Sequence, residues 1–168
     1  MREYHLSKSD IDAVMRRIRE GWPKHVSMSM KKPKTLRIIE LDDGSIDDNS
    51  ILVSDYDNII LVVKDGVILP FLNMQLLGSL PSVTVDMGAV KHICNGASVM
   101  RPGIVSMDKF ERGSIVVVKD ERYGKYIAVG IATVSSDDAM SMSKGVIIDN
   151  KHYIGDRFWN ECKRRGML

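Results

Sequence analysis

Three cationic side chains, Lys91, His92 and Arg101, fall within one glycine-punctuated segment, Val83 to Ser106, VTVDMGAVKHICNGASVMRPGIVS. Glycine leaves backbone amides uncovered, and the start of a helix carries positive partial charge. Amides and cations together make a place for a phosphate. The plainer alternative is that these glycines serve tight turns. Spacing alone favours it, because a single glycine-rich turn is weak evidence of a ligand. His92 and Cys94 form half of a metal-ligand pattern, but no second pair with ligand spacing follows. No metal or cofactor is therefore expected. The histidines, His5, His25, His92 and His152, are scattered without a partner pattern. The chain carries no P-loop, no nucleophile elbow and no dinucleotide fingerprint, so no catalytic residue is predicted.

Positioning these groups requires several short elements. Val83-Thr84-Val85 is β-branched and reads as a strand. Asp86-Met87-Gly88 breaks it, and a compact helix is predicted from Ala89 to Cys94, with Val90 and Ile93 on one face. Asn95-Gly96 tolerates the left-handed backbone that stops a helix. Ser98 to Met100 resumes as extended chain, and Pro102-Gly103 turns it. Strand, helix and strand are too tightly spaced for an ordinary parallel crossover unit of ~30 residues. The pattern suggests a small barrel whose first two strands are bridged by one helix.

The string Val85-Asp86-x-Gly88-Ala89-x-x-x-Ile93-x-x-Gly96-Ala97-x-Val99-Met100-x-Pro102-Gly103-Ile104 resembles the opening of a PUA domain, an RNA-binding module. The resemblance continues through Gly113 to Val134 and through Lys144 to Tyr153. Phe158-Trp159, after the His152-Tyr153 pair, narrows it to the archaeal relatives of the malignant-T-cell-amplified-sequence and ligatin translation factors. It covers the C-terminal half densely and the N-terminal half loosely. The resemblance implies an RNA-facing surface built from Gly88, Ala89, Lys91 and His92 on the first turn and helix. Gly96, Ala97 and Ser98 take the second turn, and Arg101, Pro102 and Gly103 the end of the following strand. Packing is expected for Met100. Arg101 is the foremost side-chain candidate, as a planar fork for phosphate or a base edge.

The whole chain fits this frame. It has 168 residues, 44% hydrophobic and 27% charged, as in a globular protein. No run approaches the ~20 apolar residues of a membrane helix, and MREYHLSKSD lacks a secretory core, so a cytoplasmic protein without membrane partners is expected. There Cys94 and Cys162 are expected as buried thiols rather than a disulfide. Net charge is only +2. Residues 81–168 hold 13 Lys and Arg against 10 Asp and Glu, and residues 1–80 hold 11 against 12. Nucleic-acid binding must then come from a local patch.

In the first half, Ser7 or Ser9 caps an amphipathic helix ending near Glu20, with Ile11, Val14, Met15 and Ile18 on its apolar face. Lys24 to Arg37 is basic and reads either as a mobile loop or as a phosphate contact. Strands are predicted over Leu36 to Leu41, Ser50 to Ser54 and Ile59 to Lys64, with turns at Asp42-Asp43-Gly44-Ser45 and a hairpin at Asp65-Gly66. The acids Asp42, Asp43, Asp47, Asp48, Asp55 and Asp57 read as solvated turn residues. Phe71 to Gly78 suggests a short helix, and Leu80-Pro81 a boundary. Further on, Ser114 to Lys119 and Lys125 to Val134 form a hairpin, Asp137 to Met142 a helical turn, and Gly145 to Asp149 the last main strand. Asp156 caps a final helix to Arg165.

The expectation is an α+β N-terminal domain, residues 1–80, followed by a mainly β PUA domain, residues 81–168, a small pseudo-barrel with peripheral helices. The resemblance implies a noncatalytic RNA-binding protein of translation. Its expected partners are structured RNA, tRNA or rRNA, together with the small ribosomal subunit and an initiation-factor-like protein. An RNA-modification enzyme, or its RNA-binding subunit, is the alternative.

Overall fold

The computed structural model describes residues 2–42 and 48–168. The turn expected at Asp42-Asp43-Gly44-Ser45 lies, from Asp43 onward, outside the described residues, as does Asp47. The chain divides into two compact units, Met1–Met74 and Gln75–Leu168.

The first unit contains a five-stranded antiparallel sheet. Its strands are β1 (Glu3–His5), β2 (Arg37–Glu40), β3 (Ser50–Val53), β4 (Ile60–Lys64) and β5 (Val67–Pro70), in that spatial order. Helix α1 (Lys8–Gly21) starts where the Ser7 hydroxyl accepts the Asp10 amide, and it buries Ile11, Val14, Met15 and Ile18. Asp65 and Gly66 both take positive φ, as a tight hairpin between right-twisted strands requires. The basic stretch after α1 is not a plain loop. It forms helix α2 (Lys24–Ser27), and Val26 and Leu36 are buried. Burial of these two side chains fixes the ends of the stretch. The helix expected from Phe71 is shorter, a 3-10 turn over Gln75–Ser79. Phe71 instead extends the β4–β5 pairing, donating its amide to the Ile60 carbonyl.

The second unit is mostly β. Its strands are β6 (Ser82–Val85), β7 (Val99–Met100), β8 (Ile104–Met107), β9 (Ile115–Asp120), β10 (Tyr126–Ala132) and β11 (Val146–Tyr153). Its helices are α3 (Met87–Ile93), α4 (Ser136–Met140) and α5 (Arg157–Arg164). The spatial order is β7-β11-β10-β9-β6-β8. All pairings are antiparallel except β6 with β9. The two edge strands are joined by only the three residues Arg101–Gly103. Four Cα steps reach at most about 14 Å, whereas the edges of a flat six-stranded sheet stand about 24 Å apart. The sheet must therefore curl until its edges approach, which makes a near-closed barrel. Val83, Val85, Ile93, Val116, Ile147 and Ile148 fill its core.

Helix α3 does bridge two strands, but they are not neighbours. It carries the chain from β6 to β7 at the far edge of the sheet. At β10 a bulge lies between Val129 and Gly130. A Cβ on Gly130 would stand 2.2 Å from the Asp149 carbonyl oxygen, so only glycine lets β11 approach there. No helix among the described residues is long and apolar enough to cross a membrane.

Candidate nucleic-acid interface

Helix α3 and the chain that follows it hold every residue singled out above. The helix has seven residues and is about 10 Å long. Its two ends differ in charge and in what their backbone groups do.

At the start, Asp86 is the N-cap, and its carboxylate accepts the Ala89 amide at 2.8 Å. The Glu121 carboxylate accepts the Met87 amide at 3.3 Å. The Met87 and Ala89 amides are thus covered, and two carboxylates stand where an anion was expected. Gly88 is exposed here. Gly103 packs against Ala89, where a Cβ would come within 3.0 Å of the alanine methyl. The Gly103 carbonyl also accepts the Asp86 amide at 2.9 Å. Glycine at 103 therefore lets the turn after β7 lie against α3, and Pro102 projects from that turn, exposed.

The other end of α3 is cationic. Lys91 and His92 are both exposed in its last turn. The turn beyond it is tied down. The amides of Cys94, Asn95, Gly96 and Ala97 donate to the carbonyls of Val90, His92, Ile93 and His92. Gly96 has φ of +97°, and a Cβ there would meet the Tyr153 hydroxyl at 3.1 Å. Asn150 of β11, buried, donates from Nδ2 to the carbonyls of both Ile93 and Ala97. Its Oδ1 is buried with no hydrogen-bond partner among the described residues. The Asn95, Gly96 and Ala97 amides of this turn are used internally, so what it offers outward is side chains. Lys91, His92 and Ser98 are the ones in place, with exposed Ala97 beside them.

Arg101 is part of the scaffold. Its Nε donates to the Ala139 carbonyl at 2.8 Å and an Nη to the Ile104 carbonyl at 3.4 Å. It thereby ties the turn between β7 and β8 to α4. These contacts use two of its five N–H groups. Met100 does not serve packing alone. It is 47% exposed on edge strand β7, directly across from exposed Val146. Edge position, which the local sequence does not show, explains both.

The two thiols are free. Burial holds the Cys94 thiol above its ordinary value, against the opposing pull of the Lys125 ammonium. Burial, with Asp156 and Glu161 nearby, pushes Cys162 up to about 12. Neither is an activated nucleophile. Among the described residues, no three His, Cys, Asp or Glu side chains gather where they could hold a metal ion.

Residues 81–154 match the family model described as the PUA domain. An uncharacterized protein of Methanocaldococcus jannaschii is 37% identical, over 95% of this chain and 96% of its own length. Translation machinery-associated protein 20 of Saccharomyces cerevisiae is 32% identical, over 65% of this chain and 70% of its own. The chain belongs to the PUA-domain family of the translation machinery-associated and malignant T-cell-amplified sequence proteins. A solved PUA domain of Aeropyrum pernix K1, in a tartrate complex, superimposes with a TM-score of 0.75 at 25% identity. It covers 96% of this chain and 92% of its own.

Two residues of this PUA unit were not singled out as site residues by sequence reasoning. Asn150 holds the turn that presents Ala97 and Ser98. Asp156 caps α5 through the Trp159 amide and accepts from buried His152 Nδ1 at 2.8 Å. Asn150 left no sequence signal, since its partners lie more than fifty positions away. The His152 and Asp156 pair was detectable as an i, i+4 spacing in the run that closes the module.

Proposed function

We propose that this PUA protein is a noncatalytic RNA-binding component of the translation machinery. Its docking face is the C-terminal end of α3 with the turn after it: Lys91, His92, Gly96, Ala97 and Ser98. Exposed Pro102 adjoins this face, while Gly88, Ala89, Gly103 and Arg101 position it from α3 and the turn beyond β7. The observation that carries this reading is family membership through translation machinery-associated protein 20, a relative named for that machinery. The exposed Lys91 and His92 at one end of α3 support it, because phosphates are met by lysine and by hydrogen-bonding side chains when amides are occupied. The proposed RNA is structured, a tRNA or rRNA, with the small ribosomal subunit and an initiation-factor-like protein as assembly partners and the cytoplasm as the compartment. In this scheme residues 1–80 form a pre-PUA domain and residues 81–168 the RNA-binding domain.

The test is a titration of labelled tRNA and of a labelled rRNA fragment at several salt concentrations. Affinity is expected to fall linearly in log–log form as salt rises. Lys91→Glu is expected to weaken binding and flatten that slope by about one phosphate contact. It is a cleaner probe than Arg101→Glu, which would also break the tie to Ala139. Binding that ignores salt, or none at all at low salt, would overturn the proposal.

A further inference from the structure

The hairpin tip between β9 and β10, Asp120 to Lys125, is a tightly bonded turn that presents one aromatic ring among charged side chains, with Arg122 and Lys125 on either side of it. Asp120 is only 4% exposed. Its carboxylate accepts three backbone amides, from Arg122 at 2.9 Å, Tyr123 at 2.5 Å and Lys125 at 3.0 Å. The Gly124 amide donates to the Asp120 carbonyl, and the Asp120 amide to the Lys125 carbonyl, both at 3.1 Å. Gly124 takes φ of +64°, which closes the turn. The tip is fixed against α3 as well. The Glu121 amide donates to the Val85 carbonyl at 3.0 Å, and its carboxylate holds the first amide of α3. The tip is therefore anchored at the start of the helix that carries Lys91 and His92.

On this turn Tyr123 is 75% exposed. The Arg122 guanidinium stands 6.0 Å from its ring centroid. Residues 121–125 are all exposed and, apart from Tyr123 and Gly124, all charged. A protein-docking hot spot would set such a ring in an apolar surround that excludes water. A lone ring between cations suits a flat, phosphate-linked group. Base stacking on an aromatic side chain tolerates any sequence, because every base has a π-face. A ring on a backbone already fixed loses less freedom when a base lands on it than one on a loose loop.

We propose that Tyr123 is a stacking platform for an unpaired nucleotide, with Arg122 and Lys125 facing its phosphates. The platform extends the candidate interface from paired RNA to a single-stranded extension. This inference rests on the RNA-binding reading above. Asp120 acts as a positioning residue, since it touches only the turn.

The experiment uses the full chain and two labelled RNAs, one stem with a four-nucleotide single-stranded 3′ extension and the same stem blunt. The parent is expected to prefer the extended RNA. Tyr123→Ala should weaken binding of the extended RNA roughly 5- to 100-fold and of the blunt RNA less than about twofold. Tyr123→Phe should retain the preference, and the salt slope of Tyr123→Ala should match the parent, because stacking releases no counterions. Asp120→Asn should reduce the preference by loosening the turn. Two results would overturn the platform while the RNA reading stands: a parent that binds both RNAs equally, or a Tyr123→Ala chain that keeps the preference. A parent that binds neither RNA at low salt overturns both readings.

Discussion

Glu161 shows how one carboxylate ties the end of the chain together. It accepts Arg164 from Nε and Nη2 and Arg165 from Nε, all within the last turns of α5. The Arg164 and Arg165 guanidiniums hold its carboxyl at about 2, against an ordinary value of 4.5. Its folded pKa lies below its unfolded one, so the unfolded chain binds the extra proton as pH falls. The stabilisation is fully present above about 4.5 and is lost as pH drops toward about 2. Urea midpoints followed through that window should fall more steeply for the parent than for Glu161→Gln. Parallel curves would mean the pairing contributes nothing. Cations in the last turn were expected to serve the helix dipole, and that placement was legible in the sequence. Their shared acceptor was not singled out, although Glu161 lies three and four positions before them.

Among the elements, the hairpin strands β9 and β10 were legible, whereas β8 went unread and β11 runs on to Tyr153, past its expected end at Asp149. Ile115 to Val118 of β9 and Ile127 to Val129 of β10 are apolar runs, and their burial within the second unit makes them so. Strand β1 went unread because all three of its residues are exposed and no pattern marks it. It is held by its pairing to β2 and by polar contacts, with Arg2 and Tyr4 on Glu40 and Glu3 on Arg37. Strand β10 also carries a sharp test of packing. Gly130→Ala would drive a methyl into the Asp149 carbonyl at the bulge. The expected loss is about 3 kcal/mol of unfolding free energy, measured by urea denaturation. A loss under about 1 kcal/mol would show that β11 can retreat without harm. Gly130 looks like any other glycine in sequence, since the strand that presses on it arrives about twenty positions later.

At the level of the whole molecule, the second unit holds its own core. The buried cluster from Val83 to Ile148 is drawn entirely from within it. Residues 75–168 expressed alone are therefore expected to unfold in one cooperative thermal transition, followed by circular dichroism. A fragment without a transition would show that the first unit is needed for its fold. Modest net charge sets the other molecular expectation, that RNA affinity comes from a few local contacts rather than a broad field.

The sequence by itself determined the family, the hairpins, the helix start at Ser7 or Ser9, the cap at Asp156, and the stretch where α3 meets its turns, while the cap at Asp86 emerged only in the fold. These are local matters: a cap, a turn or an alternating run is written within a few neighbouring residues. Tertiary structure decided what those residues could offer a ligand. It brought Glu121 to the first amide of α3, Ala139 to Arg101, and Asn150 to the turn at Ala97. Each partner lies dozens of positions away, and only closure of the barrel sets them side by side. That is why the helix start, inviting to an anion on paper, stands beside two carboxylates, while exposed Lys91 and His92 gather at the opposite end.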